Sequence, residues 1–199
     1  TSWPRQLWFS DEDLVAWSWA HLPHKVRRSD GSVKDVAGAY VSYQVHPDHA
    51  TYAGTLLACE KSLRRLRTDR LDLYLLHWRG AQPLEPTLRA FEALRKEGKI
   101  LAFGVSNFDV PDLEEAIAIT GEGAIACNQI LYNLFERDAE HVLEIYCRRH
   151  DIAFVAYTPL GAERFPPPGT WRGDVLGANA EAHGVGPRTI ALAFAIREE

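Results

Sequence analysis

From residue 39 onward the apolar positions of the chain change period again and again. Near-continuous apolar runs at Ala39 to Val45, Leu71 to His77, Ile100 to Val105, Ala124 to Leu131 and Ile152 to Tyr157 alternate with segments in which apolar residues recur every three or four positions. Runs that are apolar at nearly every position predict parallel strands buried on both faces. One strand and one helical segment together take about 24 to 32 residues, which is the βαβ spacing. Between the strands, Thr55 to Leu66 sets Leu56, Cys59, Leu63 and Leu66 on one side and Glu60, Lys61, Arg64 and Arg65 on the other. Cys59 therefore reads as core filling. Leu84 to Glu97, Val110 to Thr120 and His141 to Arg149 predict further helices, the second of them with Pro111 in its first turn and Gly121 after its end. Arg164 to Gly177, with Pro166, Pro167, Pro168, Gly169, Gly173 and Gly177, predicts a loop by composition. Pro187 to Arg197 predicts the last helix.

Residues 1 to 38 follow a different pattern. Four of the six tryptophans, Trp3, Trp8, Trp17 and Trp19, fall in the first 19 positions, and no run as clear as Ala39 to Val45 precedes it. Asp11 to Leu22 reads as a helix with Ser10 as its N-cap. The chain therefore divides into an unassigned Trp-rich segment, 1 to 38, and a repeating α/β segment, 39 to 199. The change of composition between them is also what a fragment boundary or a change of reading frame would produce.

Composition narrows the function classes. With 22 basic and 27 acidic side chains the formal charge is -5, and the basic residues form short scattered clusters such as Arg64-Arg65 and Arg148-Arg149, which argues against nucleic acid as a partner. The longest apolar runs fall far short of the roughly 18 residues of a membrane span. Three cysteines, an odd number without CxxC spacing, and no recognisable secretory leader predict a reducing, cytoplasmic setting. The chain has no methionine, as expected of a fragment or a processed chain. His21-x-x-His24 and His46-x-x-His49 lack a neighbouring cysteine, and only the second has a nearby carboxylate, Asp48, so no metal site is expected.

The ends of the predicted strands carry polar residues, and there the chain resembles the aldo/keto reductases. The resemblance rests on Ser62-Leu63-Arg64-Arg65-Leu66 leading into Asp69-Arg70-Leu71-Asp72-Leu73-Tyr74-Leu75-Leu76-His77-Trp78. It continues through Gly98-Lys99-Ile100 to Gly104-Val105-Ser106-Asn107-Phe108, Cys127-Asn128-Gln129 with Tyr132-Asn133, and Tyr157-Thr158-Pro159-Leu160-Gly161. It covers roughly residues 39 to 197 and implies an α/β fold of the TIM (β/α)8-barrel type, incomplete here because about five βα units are recognised. It further implies NADPH-dependent reduction of an aldehyde or ketone carbonyl to an alcohol. Hydride delivery to a carbon needs a polariser and proton source at the carbonyl oxygen and a rigid hold on the nicotinamide. By the resemblance, His77 is the catalytic residue that orients the carbonyl. Ser106, Asn107, Gln129 and Tyr157 hold NADP at its nicotinamide end, and Leu160 and Gly161 lie in the loop beside its pyrophosphate, where free N–H groups are useful.

Two departures from the family pattern bear on activity. Gln44 stands at the position of the family's catalytic lysine, and glutamine cannot supply the charge that lowers a tyrosine pKa. The family's acid tyrosine lies on an Asp-x4-Tyr motif, and the comparable spacing here, Asp35 to Tyr40, leaves no room for the helix that should separate it from Gln44. The sequence thus predicts a poor reductase acting on a small-molecule carbonyl, or else a non-catalytic barrel remnant with a binding or scaffold role. Five parallel strands cannot close a barrel, so open edges should be covered, or should cause either self-association through Ile152 to Tyr157 or poor solubility of the isolated chain. Trp3, Leu7, Trp8 and Phe9 are the candidates to cover the Ala39 to Val45 edge.

Overall fold

The computed structural model describes residues 16–19, 24–27, 33–36, 40–161 and 164–196, the first three of these ranges and residues 40–42 by their backbone alone. Its strands are β1 (Ala16–Trp19), β2 (His24–Arg27), β3 (Val33–Val36), β4 (Tyr40–Val45), β5 (Leu71–Leu76), β6 (Ile100–Ser106), β7 (Ile125–Leu131) and β8 (Ala153–Tyr157). The helices are α1 (Tyr52–Leu66), α2 (Leu84–Lys96), α3 (Val110–Thr120), α4 (Leu143–Arg149), α5 (Trp171–Ala182) and α6 (Pro187–Ala195), with short 3-10 turns at Pro47–His49 and Asp138–Glu140. Strands β4 to β8 pair in parallel in chain order, and β1 joins β4 antiparallel, giving a six-stranded sheet in the order β1-β4-β5-β6-β7-β8. β2 and β3 form a separate antiparallel pair. The five expected parallel strands are all present, each within a residue or so of its expected limits, and the βα repeat is that of an incomplete (β/α)8 barrel.

Alternation sorts the strand residues onto two faces. Tyr43, Val45, Tyr74, Leu76, Phe103, Val105 and Ile125 pack outward against Cys59 and Leu63 of α1, Leu88, Phe91 and Leu94 of α2, and Leu113 of α3. Leu73, Leu75 and Cys127 face the other way, with Ala102 and Val155 against them. On this inner face Gln44 of β4 meets Gln129 of β7, their amides 2.5 Å apart, although β5 and β6 lie between. Three strand spacings amount to about 14 Å on a flat sheet. The sheet therefore curls around its inner face as a barrel wall does.

Helix ends follow local chemistry. Thr51 caps α1 by accepting from Gly54 N, and Asp109 and Asp112 form a reciprocal capping box at the start of α3. Cys59 is fully buried in α1, and burial pushes its thiol up to about 12, in keeping with an inert core residue.

Two expectations are corrected. Residues 16–19, expected within a helix from Asp11 to Leu22, form β1, because the outer edge of β4 offers unpaired backbone groups that a local helix would leave unsatisfied. Chain from residues 1–38 does cover that edge, as expected, but the covering strand is Ala16–Trp19. Ser10, Trp3, Leu7, Trp8 and Phe9 lie outside the described residues. Residues 171–177, expected as loop, begin α5: Thr170 accepts from Gly173 N at 3.1 Å, and Asp174 sits in the first turn. Position 173 takes glycine within the helix because a methyl group there would lie 2.0 Å from Pro167 O. Its lack of a side chain lets the proline segment close onto the helix, a long-range reason that composition cannot show.

Candidate functional site

Because β4 to β8 run in parallel, their C-terminal ends come to one side of the sheet. His77 follows β5, with its N–H on Val45 O at 3.0 Å, so the ladder carries it beside the end of β4. Ser106 closes β6 opposite Gln129 of β7, and its Oγ donates to Gln129 O at 2.8 Å. Asn107 sits in the left-handed region, φ 57°. Its N–H continues the ladder to Gln129 O at 2.9 Å, while its side-chain amide donates to His77 O and to Ser106 Oγ, both at 3.1 Å. Tyr157, at the end of β8, donates its hydroxyl to Asn107 Oδ1 at 2.9 Å. His77, Ser106, Asn107, Gln129 and Tyr157 are thus joined in one hydrogen-bonded network spanning four strand ends.

Leu160 and Gly161 lie in the turn that follows β8. Gly161 N–H donates to Thr158 O at 2.9 Å, so this donor is engaged within the loop. Asn133 holds the same turn from the end of β7. Its Nδ2 donates to Thr158 O at 3.1 Å, and its Oδ1 accepts from Phe135 N and Glu136 N.

The electrostatics of the mouth are nearly neutral. Burial lowers the His77 pKa, and the neighbouring His46 lowers it further, so the imidazole is uncharged at neutral pH. Burial raises the Tyr157 pKa, which makes its hydroxyl a reluctant acid. Gln44, at the position expected to carry a cation, is 2% exposed and donates Nε2 to Gln129 Oε1. Its own Oε1 is buried without a partner. The side chain of Tyr40, and those of Asp35, His24 and His21, lie outside the described side chains. Among the described residues, no three His, Cys, Asp or Glu side chains are placed to hold a metal ion, and no helix is long and apolar enough to cross a membrane.

Several residues that shape the mouth carried no signal in the strand pattern. His46 sets its ring edge-on to Trp78, centroids 4.5 Å apart, and Trp78 lies 4.5 Å from His77. Arg79 donates to Gly80 O and Gln82 O and reaches Glu115 of α3, which fixes the loop after His77. Asn128, beside Gln129 in its motif, points outward and clasps the backbone of Phe108 with both ends of its amide, holding the turn that presents Asn107. Its signal in the sequence is its place within Cys127-Asn128-Gln129.

Comparison with known proteins bears on this geometry. The sequence profile of the aldo/keto reductase family matches residues 40–199. The chain is 36% identical over 180 residues to the methylglyoxal reductase YeaE of Escherichia coli (strain K12), covering 86% of this chain and 63% of that protein. It is 41% identical over 121 residues to a glyoxal reductase of Bacillus subtilis (strain 168), covering 61% of this chain and 43% of that one. Among solved structures, an aldo/keto reductase from Klebsiella pneumoniae in complex with NADP and acetate superposes with a TM-score of 0.71 at 43% identity, over 78% of this chain and 55% of that one. The chain thus spans between 43% and 63% of the length of these relatives.

Proposed function

Because this chain belongs to the aldo/keto reductase family, we propose that it binds NADP(H) at the strand-end network and reduces the carbonyl of a small aldehyde or ketone to an alcohol, at a low rate. The observation that carries the proposal is the network itself: His77, Ser106, Asn107, Gln129 and Tyr157 come from four strands and converge on one mouth. The relatives named for methylglyoxal and glyoxal favour a small dicarbonyl substrate.

The mouth fits the nicotinamide end of the cofactor, since its groups are uncharged amides and hydroxyls and it holds a buried acceptor, Gln44 Oε1, that lacks a donor. Bound NADPH would supply the hydride. Gln129 and Asn107 would hold the carboxamide, the Tyr157 ring would face the nicotinamide, and Leu160 and Gly161 would lie beside the phosphates. Neutral His77 would donate a hydrogen bond to the carbonyl oxygen and so orient it. Neither His77 nor Tyr157 is tuned to release a proton, and Gln44 adds no positive charge, so proton transfer limits the rate. The neutrality at position 44 equally favours a second reading, a barrel that binds the nucleotide without turnover. We place the reductase-like segment at residues 39–199. The cytoplasm is its proposed setting, because the cysteines are buried free thiols of the kind a reducing compartment keeps.

NADPH oxidation with glyoxal and methylglyoxal, measured beside an NADPH binding titration, tests both readings. Saturable binding with turnover well below about 1 per second supports the slow reductase, and binding with no turnover the second reading. Absence of NADPH binding overturns the cofactor site. Turnover between about 1 and 1,000 per second overturns the rate argument built on Gln44.

A further inference from the structure

We propose that His46 and His77, set on either side of Trp78, are paired donors for two oxygens on adjacent carbons: His77 holds the carbonyl to be reduced, and His46 selects vicinal dicarbonyls by binding the second oxygen. This rests on the carbonyl-reductase reading above and names the residue that sets its substrate class. The three rings form a triangle at the mouth. Trp78 stands 4.5 Å from each imidazole, centroid to centroid, and the imidazoles stand 6.5 Å from one another. The loops that carry them are locked together, since a methyl group on Gly80 would lie 2.5 Å from Cβ of the buried Pro47.

Hydrogen bonding fixes what each ring offers. His46 caps the 3-10 turn after β4, its Nδ1 accepting from Asp48 N at 3.3 Å, and this leaves the proton of the neutral ring on Nε2. The Asp48 carboxylate, also 3.3 Å from Nδ1 but 83% exposed, is solvated by water and competes weakly for that nitrogen. Among the described residues, His46 Nε2 and both ring nitrogens of His77 have no hydrogen-bond partner. His77, its pKa lowered by burial and by His46, is a neutral ring with one N–H to give. The pair therefore presents two donors. Oxygens on adjacent carbons lie about 2.8–3.6 Å apart, and with a hydrogen bond of about 2.9 Å at each end they bridge rings at this separation. One tetrahedral metal ion would draw the two rings closer, to about 5 Å. A lone carbonyl uses His77 and leaves His46 Nε2–H to water. A carboxylate suits the mouth less well, because Gln44 brings no charge and Arg79 is paired with Asp112 and Glu115. Trp78, 37% exposed, offers its ring to the carbon atoms between.

2,3-Butanedione and 2-butanone differ by one oxygen on the adjacent carbon, and titrating the full chain with each, without cofactor and with the imidazoles followed by NMR, tests this. In the wild type the His46 proton should sit on Nε2. The diketone should move the signals of both rings and the monoketone those of His77 alone. The diketone should also bind about threefold to tenfold more tightly, the net effect of one hydrogen bond. His46→Phe keeps a ring against Trp78 and identifies the His46 signals; it should lose the preference while its affinity for 2-butanone stays within about twofold. A wild type that binds the two ketones equally, or neither, overturns the proposal without recourse to any variant. So does a His46 proton on Nδ1, a His46 signal that the diketone leaves in place, or a His46→Phe protein with the preference intact. NADPH binding is titrated separately. A chain that binds NADPH and shows no preference overturns this proposal alone, and one that shows the preference without binding NADPH overturns the cofactor reading alone.

Discussion

Gly104→Ala probes how the fold positions the site. Gly104 lies on the inner face of β6, two residues before Ser106, where β7 carries one residue more than β6: Phe103 pairs with Ile125 but Val105 pairs with Asn128. A methyl group on Gly104 would lie 2.5 Å from Cys127 O and 3.0 Å from both Cys127 Sγ and the Leu75 side chain. A carbon and a carbonyl oxygen normally come no closer than about 3.3 Å, so β6 and β7 must part, and the first obstacle is backbone with no rotamer to change. Overpacking of this kind costs about 1–3 kcal/mol, or a melting temperature lower by about 2–12 °C for a chain of this size. The same parting stretches the 2.8 Å bond from Ser106 Oγ to Gln129 O, so NADPH affinity should fall by up to about tenfold. Gly177→Ala is the control: it lies within α5 with nothing within 4 Å of the added methyl, and it should stabilise by about 0.5–1 kcal/mol. Circular-dichroism melting and a nucleotide titration read both effects. A Gly104→Ala protein that melts within about 1 °C of the wild type and binds NADPH equally well would show that β6 and β7 accept the methyl group without parting.

Three further outcomes are expected. Burial, reinforced by His46, lowers the His77 pKa in the fold, so the unfolded chain takes up the proton first; stability should fall as pH drops below the unfolded value of about 6.5, and His77→Gln should flatten that slope in melting curves, an unchanged slope contradicting it. Tyr74 is fully buried with its hydroxyl unpartnered and its ring edge-on to Phe91, so Tyr74→Phe should raise stability by about 1 kcal/mol. A lower melting temperature would show that the hydroxyl has a partner. Among the described residues no strand pairs with the outer side of β8, the last in the sheet, so the chain should self-associate through Ala153–Tyr157 at micromolar concentration; sedimentation showing a monodisperse monomer would count against it.

What the sequence made legible follows its local signals. Each parallel strand announced itself because burial on both faces makes a nearly continuous apolar run, as in Leu71–Leu76, where all residues but Asp72 are buried. The convergence of His77, Asn107, Gln129 and Tyr157 was legible because parallel strands bring their C-terminal ends to one side. β1 was not, since Ala16–Trp19 becomes a strand through its pairing with β4, a contact about 25 residues away in the chain. α5 was hidden because proline and glycine dominate its approach, and the reason they are tolerated is the packing of Gly173 on Pro167. Gln44 read as the loss of a cation. Its bond to Gln129, 85 positions along the chain, exists only because the sheet curls.

A crystal structure of the chain with NADPH would show outright whether the strand-end network is a nicotinamide site. The nicotinamide ring should lie against Tyr157, with its carboxamide within hydrogen-bond distance of Gln129 and Asn107 and with His77 beside the open face of the ring. A nucleotide bound away from Ser106, Asn107 and Gln129, or a mouth left unchanged at saturating NADPH, would contradict it.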